Sequence, residues 1–117
     1  MRIDRDFYKN RKVLITGHTG FKGTWMCQVL LELGAEVIGY ALQPPTDPSL
    51  FSLTGMAERM QSIEGDVRDL EHLLRVFEEV RPEIVIHMAA QPIVRESYAN
   101  PVYTYDVNVM GTVNVLE

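Results

Sequence analysis

The sequence predicts a doubly wound α/β fold, a parallel sheet of strand order 3-2-1-4 with helices on both faces. Three observations predict it. Short apolar runs without polar alternation recur along the 117 residues, as buried parallel strands do. Each run is followed by a turn and then by a helical pattern, and right-handed crossovers convert such an alternation into this strand order. Gly17, Gly20 and Gly23 stand between the first run and the first helical pattern.

The first strand is Lys12 to Thr16. The first helix runs from about Gly20 to Leu33, with Phe21, Trp25, Met26, Val29, Leu30 and Leu33 as its core stripe, so the lone tryptophan carries no function. Gly34 is placed to end it in the left-handed conformation. Glu36 to Tyr40 is the second strand. A loop rich in proline and turn residues follows, from Ala41 to about Glu58. Met60 to Glu64 is a short third strand. Asp69 caps a helix that reaches Val80, with Leu70, Leu73, Leu74, Phe77 and Val80 inward. Arg81-Pro82 stops it, and Ile84 to Met88 is the fourth strand. Asn100 as N-cap and Pro101 at the first position open a last helix with the stripe Val102, Tyr105, Val109, Val113 and Leu116. Residues 1 to 11 read as a polar lead-in that Phe7 and Tyr8 pin to the domain edge.

A strand, a glycine turn and a helix start, in that order, make a place to hold phosphate. Gly17 turns the chain off the strand, Gly20 lets backbone approach a pyrophosphate, and Gly23 lets the helix pack on the sheet. The alternative is a plain tight turn. A P-loop is excluded because the order is Lys22-Gly23-Thr24 rather than Gly-Lys-Thr. The commonest dinucleotide fingerprint has one residue between its first two glycines, and here there are two, His18 and Thr19.

Composition excludes other classes. A net charge of −5, with lysines only at positions 9, 12 and 22, argues against nucleic acid and anionic membrane as partners. One cysteine, Cys27, permits neither an internal disulfide nor a cysteine metal cluster. The charged first ten residues are no signal peptide, no apolar run approaches a membrane span, and a reducing cytoplasm is the default. The sequence stops inside its last helix, so the expectation is that residues 1–117 form the N-terminal part of a dinucleotide-binding domain whose remainder, with a substrate domain, lies elsewhere.

GHTGFKG after the first strand, GDVRD after the third, HMAAQP at the fourth and NVMGT in the last helix resemble the extended short-chain dehydrogenase/reductase superfamily. The resemblance covers residues 11 to 117, and GHTGFKGTW, GYALQPPTDPSLF and HMAAQPIVRESY are most similar to the CDP-glucose 4,6-dehydratases within it. The GDP-mannose and dTDP-glucose dehydratases and the nucleotide-sugar epimerases share the same skeleton.

The resemblance implies a Rossmann fold, an NAD cofactor and a nucleotide-sugar substrate, CDP-glucose. The family reaction oxidises the sugar at C4, removes water across C5 and C6 and returns the hydride to C6. Backbone N–H groups around Thr19, Phe21 and Lys22 would hold the pyrophosphate. Asp66 would accept from the adenine amine, or else cap the loop before the helix, and Val67 would contact the ring through its backbone. Ala89, Ala90 and Gln91 would line the path to the nicotinamide ribose. Asn108 would sit at the nicotinamide end, or else pair with a backbone group. His87 reads as a hydrogen-bonded core residue rather than a catalyst. His18 either touches phosphate or faces solvent, and Arg95 reads as a surface ion pair more than a substrate contact. Family members form homodimers through the helix that here spans about residues 101–117.

Two family features are absent. No acid ends the second strand, where Gly39-Tyr40-Ala41-Leu42-Gln43 stands, and no neighbouring cation suggests a 2′-phosphate; NAD follows from the resemblance alone and NADP stays open. The family's catalytic Tyr-x-x-x-Lys is also missing: Tyr40, Tyr98, Tyr103 and Tyr105 lack a lysine four residues on, and Lys22 is the last lysine. The chain alone is therefore expected to be inactive, with no catalytic residue of its own. A non-catalytic dinucleotide-sensing module is the competing reading; a flavodoxin-like or receiver-like domain lacks the clustered acids it would need.

Overall fold

The computed structural model describes residues 6–44 and 47–117. The predicted lead-in at residues 1–5 and the loop residues Pro45 and Thr46 lie outside them. Four strands, β1 (Lys12–Thr16), β2 (Glu36–Ala41), β3 (Gln61–Glu64) and β4 (Ile84–His87), form one sheet of order β3-β2-β1-β4. Every pairing is parallel, with Leu14 opposite Ile38 on one side and Val85 on the other. The fold class and strand order are those the sequence predicts.

Two apolar layers flank the sheet. Val13, Ile15 and Val37 pack with Cys27 and Leu30 of α1 (Phe21–Glu32), and with Phe51 of the short α2 (Leu50–Leu53) and Met56. Leu14, Ile38 and Tyr40 pack on the other side with Leu73, Val76 and Val80 of α3 (Leu70–Val80) and with Val107. Tyr8 joins the first cluster, so the lead-in is pinned at its described end. The loop after β2 is not wholly irregular, because α2 and a single 3₁₀ turn at Met56–Glu58 shape it.

α1 divides its predicted stripe: Leu30 is buried and Met26 packs against the core, but most of the rest turns outward against expectation. Its buried residues are Gly23, Thr24, Cys27 and Leu30, whereas Phe21, Trp25 and Val29 face solvent, Trp25 at 53% exposure. The cause is close approach. The first turn of α1 lies so near the glycine turn that only small residues fit between them, and the bulky ones are displaced to the opposite face. Trp25 is thus no core residue. In α3, Leu73 and Val80 are buried and Phe77 packs beside them as predicted, but Val76 is buried in place of the exposed Leu74, a small rotation of the predicted face.

The last helical segment departs most. An unpredicted helix, α4 (Val94–Ala99), precedes it, and the segment itself divides into α5 (Pro101–Tyr105), a π turn (Asp106–Met110) and α6 (Gly111–Leu116). Asn100 stands at the N-cap before Pro101, but its side chain donates to Glu96 Oε1 at 2.8 Å instead of capping. The predicted stripe Val102, Tyr105, Val109, Val113 and Leu116 is exposed. The face against the core carries Tyr103, Val107 and Val115, with Gly111 buried beside Val67. Both faces are apolar, and the glycine decides which one packs.

Candidate functional site: a phosphate cradle at the sheet's carboxyl edge

The glycine turn is pressed flat at two points and open at one. Gly17 sits at φ +79°, and a Cβ there would stand 2.7 Å from the Ala89 amide nitrogen, into the end of β4. A Cβ on Gly23 would collide with the Gly17 carbonyl. Gly23 therefore serves contact between helix and turn, not helix and sheet. On Gly20 a Cβ would meet only the Gly17 oxygen, at an ordinary 3.5 Å, so the space before Gly20 is free of the described residues.

The start of α1 has no protein cap. Gly20 occupies the N-cap, no side chain among the described residues bonds the first-turn amides, no acid lies in the first turn, and Lys22 does. A cation is the wrong charge for the positive end of a helix unless an anion sits there too. The contrast lies in the same chain: Asp69 Oδ1 accepts from the His72 amide at 3.1 Å and Glu71 follows in the first turn of α3. The amides of Phe21, Lys22 and Gly23 and the open face of Gly20 thus make a cradle suited to a phosphate.

The residues between the glycines are committed elsewhere. Thr19 Oγ1 donates to the Leu42 carbonyl at 2.9 Å, and Thr24 Oγ1 lies 2.9 Å from the His18 carbonyl and 2.8 Å from that of Gly20. His18 neither touches phosphate nor faces solvent. It is fully buried over Gly39, edge-on to Phe51, with Nε2 2.7 Å from Ser62 Oγ and Nδ1 unpartnered. Burial lowers its pKa to about 4. Gly39 makes this possible, since a side chain there would occupy the imidazole's place.

Asp66 and Val67 follow β3 as predicted. The Asp66 carboxylate accepts from three Arg68 donors: the backbone amide at 2.9 Å, Nε shared between both oxygens at 3.1 and 2.9 Å, and Nη2 at 2.6 Å. Arg68 holds its pKa below the ordinary carboxylate value. Asp69 caps α3 as predicted, and Asp66 caps the loop before it through the Arg68 amide, as its alternative reading has it. Val67 is buried against Gly111, and its carbonyl accepts from Asn114 Nδ2 at 2.9 Å.

At the end of β4 a directional chain of hydrogen bonds runs across the sheet edge. Thr16 Oγ1 accepts from the Met88 and Ala89 amides, both at 3.1 Å, which leaves its proton for His87 Nδ1 at 2.6 Å. His87 is then the Nε2–H tautomer and donates to Thr112 Oγ1 at 3.0 Å; Thr112 donates to the Asn108 carbonyl at 2.6 Å. His87 is the hydrogen-bonded core residue the sequence suggests, and burial lowers its pKa. Thr16 and Thr112 are the residues that sequence reading misses here, because lone threonines carry no pattern.

Asn108, inside the π turn, pairs with backbone: Oδ1 accepts from the Gln91 amide and Nδ2 donates to the Gln91 carbonyl. The Gln91 side chain folds back, Oε1 accepting from Ile93 N at 2.8 Å and Nε2 donating to Thr104 Oγ1 at 3.0 Å. Ala90 is exposed and Ala89 half-buried, so that stretch offers open backbone and two methyl groups. No ion pair or hydrogen bond to Arg95 is recorded among the described residues. No group of His, Cys, Asp and Glu that could hold a metal occurs among them either.

One Tyr-x-x-x-Lys spacing does exist, Tyr8 to Lys12, and the sequence reading passes over it. It lies at the amino end of β1, opposite the glycine turn, and Lys12 Nζ donates to the Val80 carbonyl at 3.2 Å. It is structural.

Comparison with known proteins agrees with this geometry. Residues 14–117 match the GDP-mannose 4,6 dehydratase family. A CDP-glucose 4,6-dehydratase of Salmonella typhimurium is 54% identical over 98% of the chain and 32% of its own length. Among solved structures, an epimerase from Methanothermobacter thermautotrophicus superposes with TM-score 0.81 at 33% identity, over 96% of this chain and 32% of that one. The UDP-glucose 4-epimerase of Brucella ovis in complex with NAD superposes at 0.74 and 29% identity, over 91% and 31%. The chain spans about a third of the length of these relatives. Among the described residues no helix is long and apolar enough to cross a membrane.

Proposed function

Since the chain belongs to the GDP-mannose 4,6-dehydratase family, within the nucleotide-sugar dehydratases and epimerases, we propose that residues 1–117 are the N-terminal part of the NAD-binding Rossmann domain of a nucleotide-sugar 4,6-dehydratase acting on CDP-glucose. The observation that carries the dinucleotide is the start of α1: open before Gly20, uncapped, free of acid and flanked by Lys22. The first-turn amides bind the pyrophosphate there, with Thr19 holding the turn against the end of β2. Asp66 and the Val67 backbone take the adenine, and Ala89, Ala90 and Gln91, fixed by Thr16 and Asn108, form the floor beneath the nicotinamide ribose. Bound NAD supplies the hydride acceptor and donor for the sugar carbons. NAD is favoured over NADP by the NAD-bound neighbour. CDP-glucose is favoured by the 54% identical relative of that name.

The proton-moving Tyr-x-x-x-Lys pair is not beside this cradle, so these residues by themselves bind cofactor without turning over sugar. The exposed face of Val102, Tyr105, Val109, Val113 and Leu116 is the homodimer contact in this reading. The buried thiol of Cys27, its pKa pushed up to about 12, suits a reducing cytoplasm but does not require it. The test is an assay of the intact protein for 4-keto-6-deoxy sugar from CDP-glucose, GDP-mannose and dTDP-glucose. The proposal expects CDP-glucose to be consumed fastest and the 117-residue chain to be inactive. A preference for another nucleotide would overturn the substrate assignment, and turnover by the short chain would overturn the division of labour.

A further inference from the structure

We propose that Arg68 is a positioning residue for purine recognition, holding the Asp66 carboxylate in one orientation as an acceptor for the exocyclic amine of the cofactor's adenine. This rests on the adenine reading of Asp66. An exposed ion pair between residues two apart ordinarily contributes little. Arg68 is held from three directions instead. Its Nε and Nη2 form a fork on Asp66 at 2.9 and 2.6 Å. Its guanidinium lies over the Tyr103 ring, 4.9 Å from the centroid, and Nη1 stands 3.8 Å from Asp106 Oδ2. Tyr103 and Asp106 belong to α5 and the π turn, so the fork is braced against a second element and cannot swing away with its loop.

The bracing fixes what Asp66 offers. A carboxylate has about four acceptor positions. The Arg68 amide, Nε and Nη2 supply three donors, with Nε shared between Oδ1 at 3.1 Å and Oδ2 at 2.9 Å, so the position left to a ligand is the outer edge of a side chain that is 23% exposed. An ionised carboxylate donates nothing, so this position welcomes an amine and repels a carbonyl oxygen. Arg68 keeps it ionised as well as oriented. The result is a filter that passes adenine and rejects hypoxanthine, set by a residue that need not touch the base.

The test compares binding of NAD with binding of nicotinamide hypoxanthine dinucleotide, in which a carbonyl replaces the amine. Calorimetry is run on the unaltered protein, on Arg68→Met and on Arg68→Lys, each first checked for a cooperative melt. The unaltered protein should prefer NAD by about tenfold or more, as befits a hydrogen bond to a charged group. Arg68→Met should lose most of that preference. Arg68→Lys, with charge but no fork, should fall between and decides the matter if the methionine variant does not fold. The ratio of the two ligands is the readout because a general loosening of the loop would weaken both alike. An undiminished preference in the variants overturns the role of Arg68 and leaves Asp66 as the reader. No preference in the unaltered protein overturns the adenine reading itself.

Discussion

Asn108 grips both backbone polar groups of Gln91: its Oδ1 accepts from the Gln91 amide at 2.7 Å and its Nδ2 donates to the Gln91 carbonyl at 3.1 Å. Asn108 stands inside the π turn Asp106–Met110. One extra residue in the helical turn changes the direction in which residue 108 projects, and such turns cluster at functional sites. Asn108→Ala removes both bonds and leaves a half-buried amide and carbonyl without these partners. We expect a loss of about 1–3 kcal/mol in urea unfolding, with faster hydrogen exchange at the Gln91 amide. Asn108→Asp keeps the acceptor but points a second acceptor at the Gln91 carbonyl, so it should recover only part of the loss.

The glycines separate by experiment. Gly23→Ala drives a methyl group into the Gly17 carbonyl and should lower the melting temperature severely or prevent folding. Gly20→Ala meets open space and should melt close to the unaltered protein, while losing most of its dinucleotide affinity. Equal effects at the two positions would mean that the space before Gly20 is not a ligand's.

Acid should destabilise the fold through histidine before the carboxylates titrate. His18 has a pKa of about 4 in the fold, against roughly 6.5 unfolded. Between those values the unfolded chain binds a proton that the native chain refuses, so stability rises with pH across the window. It is complete above about 6.5 and lost progressively as pH falls toward 4, by on the order of 3 kcal/mol. His87 acts in the same direction, because a proton on Nδ1 would face a Thr16 oxygen whose lone pairs already serve two amides. Urea unfolding at a series of pH values checks this, and His18→Leu should flatten the dependence.

Trp25 is the only tryptophan and stands half in solvent. Its fluorescence should be quenched by acrylamide nearly as well in the native as in the denatured protein. Trp25→Ala should change stability by no more than about 0.5 kcal/mol. A blue-shifted, unquenched emission would put Trp25 back in a core.

The parts legible in the sequence are those where one residue type admits one structure. Gly17 and Gly34 take the positive φ angles that their positions at a strand exit and a helix end require, and the apolar runs become β1 to β4 in the expected order. The choice of helix face was not legible. α1 and the α5–α6 segment are apolar on more than one side, and the side that packs is set by small residues, Gly23 and Gly111, at close approaches that hydrophobicity does not reveal. The π turn leaves no mark either, since Asp106–Met110 reads as ordinary helix. The burial of His18 is not legible because it depends on Gly39, twenty-one positions away on β2. At the carboxyl edge of the sheet, the positions of the glycine turn, Asp66 and Asn108 are legible; the threonine and histidine chain that ties the end of β4 to the last helical segment is not.

The central claim is that the start of α1 binds the pyrophosphate of a dinucleotide. Thermal unfolding with and without NAD and NADP tests it most directly. The account predicts a cooperative transition that NAD moves upward, by about 2.7 kcal/mol of stability at a hundredfold excess over the dissociation constant, and a smaller shift with NADP. A cooperative transition that neither cofactor moves would contradict it.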